Sequence, residues 1–145
     1  MSDLTVPNDL PVPLAPGQRW TYRTRPGEET STALILALDP APEGREIVGV
    51  ALDHLRIPAP ASPDGWISTI GHLPVDAANV RASVLELLAE GVALPADDSG
   101  YRQWRAEYDQ QDAGVFTLDL ADIVETMAQA LAPRPQNVFS ESRFR

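Results

Sequence analysis

The sequence predicts a small α+β domain, with strands in the N-terminal half and helices in the C-terminal half. Alternating apolar and polar residues fill the first half, and apolar residues recur at helical spacing in the second. Clusters of proline and glycine separate these segments. Strands followed by helices are typical of an antiparallel sheet that helices cover on one face. We therefore expect about four strands and about three helices.

The length of 145 residues fits one domain with additional segments at its ends. Prolines recur through residues 1–16. Since proline lacks an amide hydrogen and fixes φ, this segment is predicted to be an extended Pro-rich arm. Residues 17–132 form the predicted α+β domain. Pro133 and Pro135 end its last helix, and residues 133–145 are predicted to be a flexible tail.

Four segments of the first half have strand character. In the first, Trp20 and Tyr22 alternate with arginines, which places aromatic and basic side chains on opposite faces. A Pro26-Gly27 turn follows, so the first two strands are expected to form a hairpin. The third strand is apolar on both faces, as in a strand covered on both sides. The four segments are residues 18–25, 29–38, 46–57 and 65–73.

Three segments of the second half have helical periodicity. The first is predicted to begin at Asp76, to carry an apolar stripe and to end at Gly91. The second, near residues 98–108, carries aromatic residues on one face. The third has an apolar stripe over residues 120–131, and the helices are expected to pack on the sheet.

The composition excludes several classes of function. The chain has 21 acidic and 11 basic residues, a formal net charge of -10, and every basic residue is an arginine. Such a charge repels nucleic-acid phosphates and anionic membrane surfaces, so we expect neither partner. Without lysine there is no Schiff-base chemistry. Without cysteine there are no disulfides, thiolate nucleophiles or cysteine-bound metals.

The sequence predicts a cytoplasmic location. Residues 1–16 lack the basic start and apolar run of a signal peptide, and no stretch approaches the roughly 20 apolar residues of a membrane span. A chain without disulfides suits a reducing compartment. The acidic charge slightly favours a basic partner, although solubility alone also accounts for it.

Three arginines of the first strand form one candidate contact site. Arg19, Arg23 and Arg25 alternate along the strand and therefore share a face. Guanidinium groups that converge can hold a carboxylate or a phosphate through paired hydrogen bonds. The alternative is that Arg23 and Arg25 pair with Glu28 and Glu29 across the hairpin.

The chain has two histidines, His54 and His72, and the candidate catalytic residues are His72 and Asp76. His72 lies four residues before Asp76, and a histidine with a carboxylate is the minimum for general acid–base catalysis. The alternative is that both histidines are structural, since alternation along a strand is expected to place Asp53 and His54 on opposite faces and Pro74 separates His72 from Asp76. No third ligand lies near either histidine, so we expect no metal and no cofactor.

The aromatic stripe of the second helix is a second candidate contact site. Tyr101, Trp104 and Tyr108 recur at i, i+3 and i+7. Tryptophan and tyrosine anchor many interfaces and line many pockets. The alternative is that the stripe is the buried face of its helix. We predict that Trp20 is structural and that Trp104 is the better candidate for a contact.

Three stretches resemble segments of small uncharacterised bacterial proteins. They are GQRWTYRTRPGEETST (residues 17–32), GHLPVDAANVRASV (residues 71–84) and GYRQWRAEYDQQDAGVFT (residues 100–117), which together cover about a third of the chain. The resemblance implies a bacterial, intracellular setting. It assigns no activity and no catalytic or binding residue.

The function that fits these observations is a non-enzymatic binding or regulatory domain, acting on a protein partner or a small ligand. One alternative is a small metal-independent enzyme that uses His72 and Asp76 with a nearby arginine or tyrosine. A second alternative is a self-associating structural protein. Convergence of side chains in one pocket would favour the enzyme, and an exposed apolar patch would favour a partner.

Overall fold

The fold is α+β, with an antiparallel sheet of five strands and three helices, in a computed structural model that describes residues 12–132. The predicted tail and most of the predicted arm lie outside these residues. The strands are β1 (Arg19–Tyr22), β2 (Ala33–Pro40), β3 (Glu46–Leu52), β4 (Ile57–Pro58), β5 (Trp66–Ile67), β6 (Ile70–Asp76) and β7 (Val84–Ala89). The helices are α1 (Ala77–Ser83), α2 (Ser99–Asp109) and α3 (Leu120–Leu131).

The sheet has the strand order β6-β3-β2-β1-β7, and β4 pairs separately with β5. The longest pairing joins β2 to β3, from Ala33 opposite Leu52 to Pro40 opposite Glu46. These two central strands are rich in valine, isoleucine and leucine, which suit a pleated surface buried on both sides. β6 lies at one edge of the sheet, and its outer side forms a single parallel bridge between Val75 and Phe116.

The sheet has five strands rather than four because the first predicted helix divides in two. The helix runs from Ala77 to Ser83 and the chain then continues as β7, with Val84 opposite Tyr22 of β1. The apolar stripe of this segment is compatible with either structure over short distances. The second part of the segment forms the strand β7 because it pairs with the backbone N–H and C=O groups of β1, which would otherwise lack partners.

Two other predicted strands end earlier than their sequence pattern suggested. The first stops at Tyr22, and the chain turns until β2 begins at Ala33. The carboxylate of Glu28 organises this turn, because it accepts hydrogen bonds from the Arg25 guanidinium and the Arg56 backbone N–H. The third strand stops at Leu52, shortly before His54 adopts a left-handed backbone with φ of 49°.

One face of the sheet forms the main core together with α1 and α3. Its members include Trp20, Ile35, Val50, Leu73 and Val75 from the strands, and they pack with residues of α1 and α3. These strand residues are fully or almost fully buried. The side chains that alternate with them in β3 and β6 must therefore lie on the opposite face.

The helix α2 covers that opposite face, so helices lie on both sides of the sheet. The rings of Tyr101 and Trp104 in α2 pack on His72, which alternates along β6 with the core residue Leu73. The expectation that all helices cover one face is wrong. The apolar character of β3 on both sides is explained by this arrangement.

The helices of the described region are at most 12 residues long, and none of them is long and apolar enough to cross a membrane.

Candidate functional site

The three arginines of the first predicted strand do not converge. Each one is held by a different local partner, and two of them lie beyond the end of β1. Arg19 donates to Thr32 Oγ1 (2.9 Å) and Asp53 Oδ2 (3.3 Å), and Arg23 donates to the Ala82 carbonyl (3.0 Å).

Arg25 is the most strongly held of the three. It forms a two-pronged pair with Glu28 at 3.0 and 2.8 Å and a further hydrogen bond to Glu125 of α3 at 3.1 Å. The ion pair between Arg25 and Glu28 was the alternative to an anion site, and it is present. These contacts tie the turn to α3 and leave no shared anion-binding face among the three arginines.

His72 and Asp76 do not form an acid–base pair. Four residues of extended strand separate them, which is about 13 Å at ~3.3 Å per residue. Asp76 instead accepts hydrogen bonds from Arg45, with the shortest contact at 2.8 Å, and its backbone N–H donates to the Phe116 carbonyl. Asp76 therefore has a structural role at the junction of β6 and α1.

Two residues of the aromatic stripe of α2, Tyr101 and Trp104, pack against His72. The ring centroids of Tyr101 and Trp104 lie 5.5 and 5.6 Å from that of the imidazole. Trp104 is buried, stacks on Tyr108 at 5.0 Å and donates its Nε1–H to the Gly114 carbonyl at 2.9 Å. Burial leaves Trp104 little surface for a partner, whereas Tyr101 faces a cavity.

Two glycines allow this close packing of α2 on the sheet. A Cβ at Gly49 of β3 would lie 2.9 Å from Nε2 of His72, and a Cβ at Gly100 of α2 would lie 3.3 Å from Cβ of His72. The imidazole therefore fills the space above Gly49, and the first turn of α2 rests on His72. Glycine in the interior of a strand is typical of such a close approach.

A cavity of about 560 Å³ lies beside this cluster, between the sheet and the beginning of α2. Its floor comes from β2 and β6, and its walls come from the loop before α2 and from the first turn of that helix. The side chains that shape it are Leu36, Ala37, His72, Leu94, Pro95 and Tyr101. Asp97, Asp98 and Ser99 supply its polar groups.

The imidazole of His72 is held in its neutral form. Burial lowers the pKa of His72, and the opposing effect of the negatively charged Asp39 is smaller. Its Nε2 is buried and has no hydrogen-bond partner among residues 12–132. The ring is therefore an uncharged polar group in a largely apolar setting.

Tyr101 is fixed in place by Asp39. Its hydroxyl donates a hydrogen bond to Asp39 Oδ1 at 3.1 Å, and Arg105 approaches the same carboxylate at 3.6 Å. Burial, this hydrogen bond and the nearby negative charge raise the pKa of Tyr101 above its ordinary value. The tyrosine is thus a neutral hydroxyl with a defined ring orientation.

Within residues 12–132, no group of three or more His, Asp or Glu side chains could hold a metal ion. The sequence pointed to two residues that line the cavity, His72 in its floor and Tyr101 in its wall, but not to the β2 part of the floor or to the loop before α2. Leu36 and Ala37 looked like ordinary strand residues. The sequence contains one signal of close packing, which is Gly49 in the middle of an apolar strand.

No protein-family model matches this chain, and neither the curated proteins nor the solved structures contain a significant match to it.

Proposed function

We propose that this chain is a binding domain for a small organic molecule, which occupies the cavity between β2, β6 and the start of α2. The observation that carries the proposal is the cavity itself. Its volume of about 560 Å³ lies within the range of small-molecule sites. An apolar floor, an aromatic wall and a few polar groups at one end are the usual composition of such sites.

Binding without catalysis is the simpler function for this cavity. His72 and Asp76, the candidate catalytic pair, do not contact each other, because Asp76 is held by Arg45 at the far end of β6. His72 touches Tyr101 and Trp104 through ring packing. The Nε2 atom of His72 is buried over Gly49, so this imidazole is placed to pack against a ligand rather than to exchange a proton with it.

The direct test is a fragment screen by NMR on uniformly ¹⁵N-labelled protein. We expect bound fragments to shift the amide signals of Gly71, Gly100 and Tyr101. Ala37→Leu adds side-chain volume to the cavity floor and should abolish those shifts. Ala82→Leu adds the same volume on an exposed part of α1 and should leave them unchanged. If no fragment shifts these amides, or if Ala37→Leu binds as well as the native chain, the proposal is wrong.

A second candidate function is association with another protein chain, including a second copy of this one. The observation that favours it is the outer edge of β7, which has no strand partner among residues 12–132. Leu85 and Leu88 of this strand are 56% and 48% exposed. The strand is irregular, since its register against β1 shifts twice, and bulges of this kind usually protect an edge from pairing.

Light scattering coupled to size-exclusion chromatography tests the second candidate. Self-association through β7 should give a dimer mass that Leu88→Lys converts to a monomer, since a charge at an apolar interface disfavours docking. Leu131→Lys changes a leucine of α3 that is 43% exposed and should leave the dimer intact. A monomer at all concentrations would exclude self-association.

A further inference from the structure

The geometry points to an organic cation as the ligand of this cavity: a molecule with an apolar, preferably aromatic body and one positively charged amine. This ligand class presupposes the proposed binding function. It follows from the kind and placement of the charged groups around the cavity. Among residues 12–132, the ionised side chains that line it are two carboxylates, Asp97 and Asp98, and no arginine lines it.

The carboxylate of Asp97 is held at the mouth of the cavity by its neighbour. The hydroxyl and the backbone N–H of Ser99 donate to it, the latter at 3.0 Å, and these hydrogen bonds lower the pKa of Asp97. Asp97 is therefore ionised at neutral pH. Asp98 is paired with Arg102 at 2.7 Å, so the negative charge of Asp97 is the less compensated of the two.

The start of α2 would otherwise favour an anion, because the first turn of a helix carries partial positive charge and free N–H groups. Here the Ser99 N–H is already occupied by Asp97. Arg102 compensates the charge of Asp98, but the carboxylate of Asp97 carries a full unit, whereas the partial charge of a helix end is about half a unit. The summed charge at this end of the cavity is negative, and an anionic ligand is disfavoured.

The aromatic wall suits the same ligand class. The ring of Tyr101 lines the cavity and is fixed by the hydrogen bond from its hydroxyl to Asp39. A cation over the face of a tyrosine ring is attracted by the ring's negative π surface. Asp39 adds a further negative charge at the hydroxyl end of the ring, and Arg105 lies 3.6 Å from the same carboxylate.

Three indole probes of nearly equal size test the charge preference: tryptamine, tryptophol and indole-3-acetate, which are cationic, neutral and anionic at pH 7. NMR titration of ¹⁵N-labelled protein gives the three dissociation constants. We expect tryptamine to bind about fivefold more tightly than tryptophol, with indole-3-acetate weakest. The advantage of tryptamine should shrink as salt is raised, because the carboxylates are exposed.

Asp97→Asn is the variant that tests the role of the charge, because the amide oxygen can still accept the Ser99 N–H. It should reduce the preference for tryptamine over tryptophol to about twofold and leave tryptophol binding unchanged. Asp112→Asn removes one exposed charge outside the cavity lining and should change nothing. Equal binding of the three probes, tighter binding of the anion, or a preference insensitive to Asp97→Asn would overturn the cation assignment. If none of the probes shifted the lining amides, the binding function itself would fail.

Discussion

At the scale of single residues, the packing beside the cavity depends on one glycine of β3. Gly49 lies between Val48 and Val50, which belong to the main core on the other face. The absence of a side chain at Gly49 leaves the space that the imidazole of His72 fills. The alternation of the sequence predicted which side chains of β3 enter the core. It did not reveal that a histidine from a neighbouring strand would cover the glycine.

Replacing Gly49 tests this contact. We expect Gly49→Ala to lower the free energy of unfolding by about 1–3 kcal/mol, because the new methyl group must displace the packed ring of His72. Adding His72→Ala to that variant should recover part of the loss. Gly71→Ala is the matched control, since nothing lies within 4 Å of a Cβ at that position. Urea unfolding of the single and double variants measures the coupling, and purely additive effects would contradict the contact.

A second single-residue prediction concerns Glu28, which is buried and paired with Arg25. Burial acts to raise the pKa of Glu28, but hydrogen bonds from Arg25 and from the Arg56 backbone N–H outweigh it, and the pKa is lowered. The folded state therefore holds this proton less tightly than the unfolded state. Its stabilising effect is present above about pH 4.5 and is lost as the pH falls below that value.

We expect Glu28→Gln to lower the free energy of unfolding by about 3 kcal/mol at pH 7, because Arg25 loses its buried partner. The variant should also lose less stability than the native chain between about pH 4.5 and pH 3. Glu29→Gln, at the exposed neighbouring position, is the control. If the free energy of unfolding of Glu28→Gln falls with pH as steeply as that of the native chain, the buried pair does not control the acid dependence of stability. Urea unfolding followed across this pH range provides the measurement.

At the scale of elements, periodicity predicted α2 and α3 closely and the central strands well, but it did not predict the division of residues 77–89 into α1 and β7. The two outcomes have similar local patterns. The choice depends on the edge of β1, which is distant in sequence and needs a partner for its backbone groups. The face that α2 covers was also not predictable, because an amphipathic helix does not indicate which side of a two-sided sheet it packs on.

Hydrogen exchange distinguishes the roles of these strands. We expect the amides of β3 to exchange only through global unfolding, since β3 lies between β2 and β6. The amides of β7 should exchange through local opening and at least about tenfold faster, because β7 pairs on one side only and with an irregular register. Protection of β7 equal to that of β3 would contradict a free edge and support the association candidate.

At the scale of the whole molecule, one face of the sheet forms the main core and the other face borders the cavity. One face, with α1 and α3, holds the main core and supplies most of the buried apolar surface. The other face, with α2, holds the aromatic cluster around His72 and the cavity with its acidic mouth. From the net charge of -10 we predict that anionic partners are disfavoured. Composition alone could not place that charge, because the cavity is formed by residues that are 65 positions apart in the chain, from Leu36 to Tyr101.

A crystal structure of the protein soaked with tryptamine would show whether the cavity binds an organic cation. We expect the indole ring in the cavity between Leu36 and Tyr101, with its ammonium group within about 4 Å of the Asp97 carboxylate. Crystals of Ala37→Leu soaked in the same way should show no indole there. Tryptamine bound only elsewhere on the surface, or α2 packed so closely on β2 that no cavity remains, would contradict this expectation.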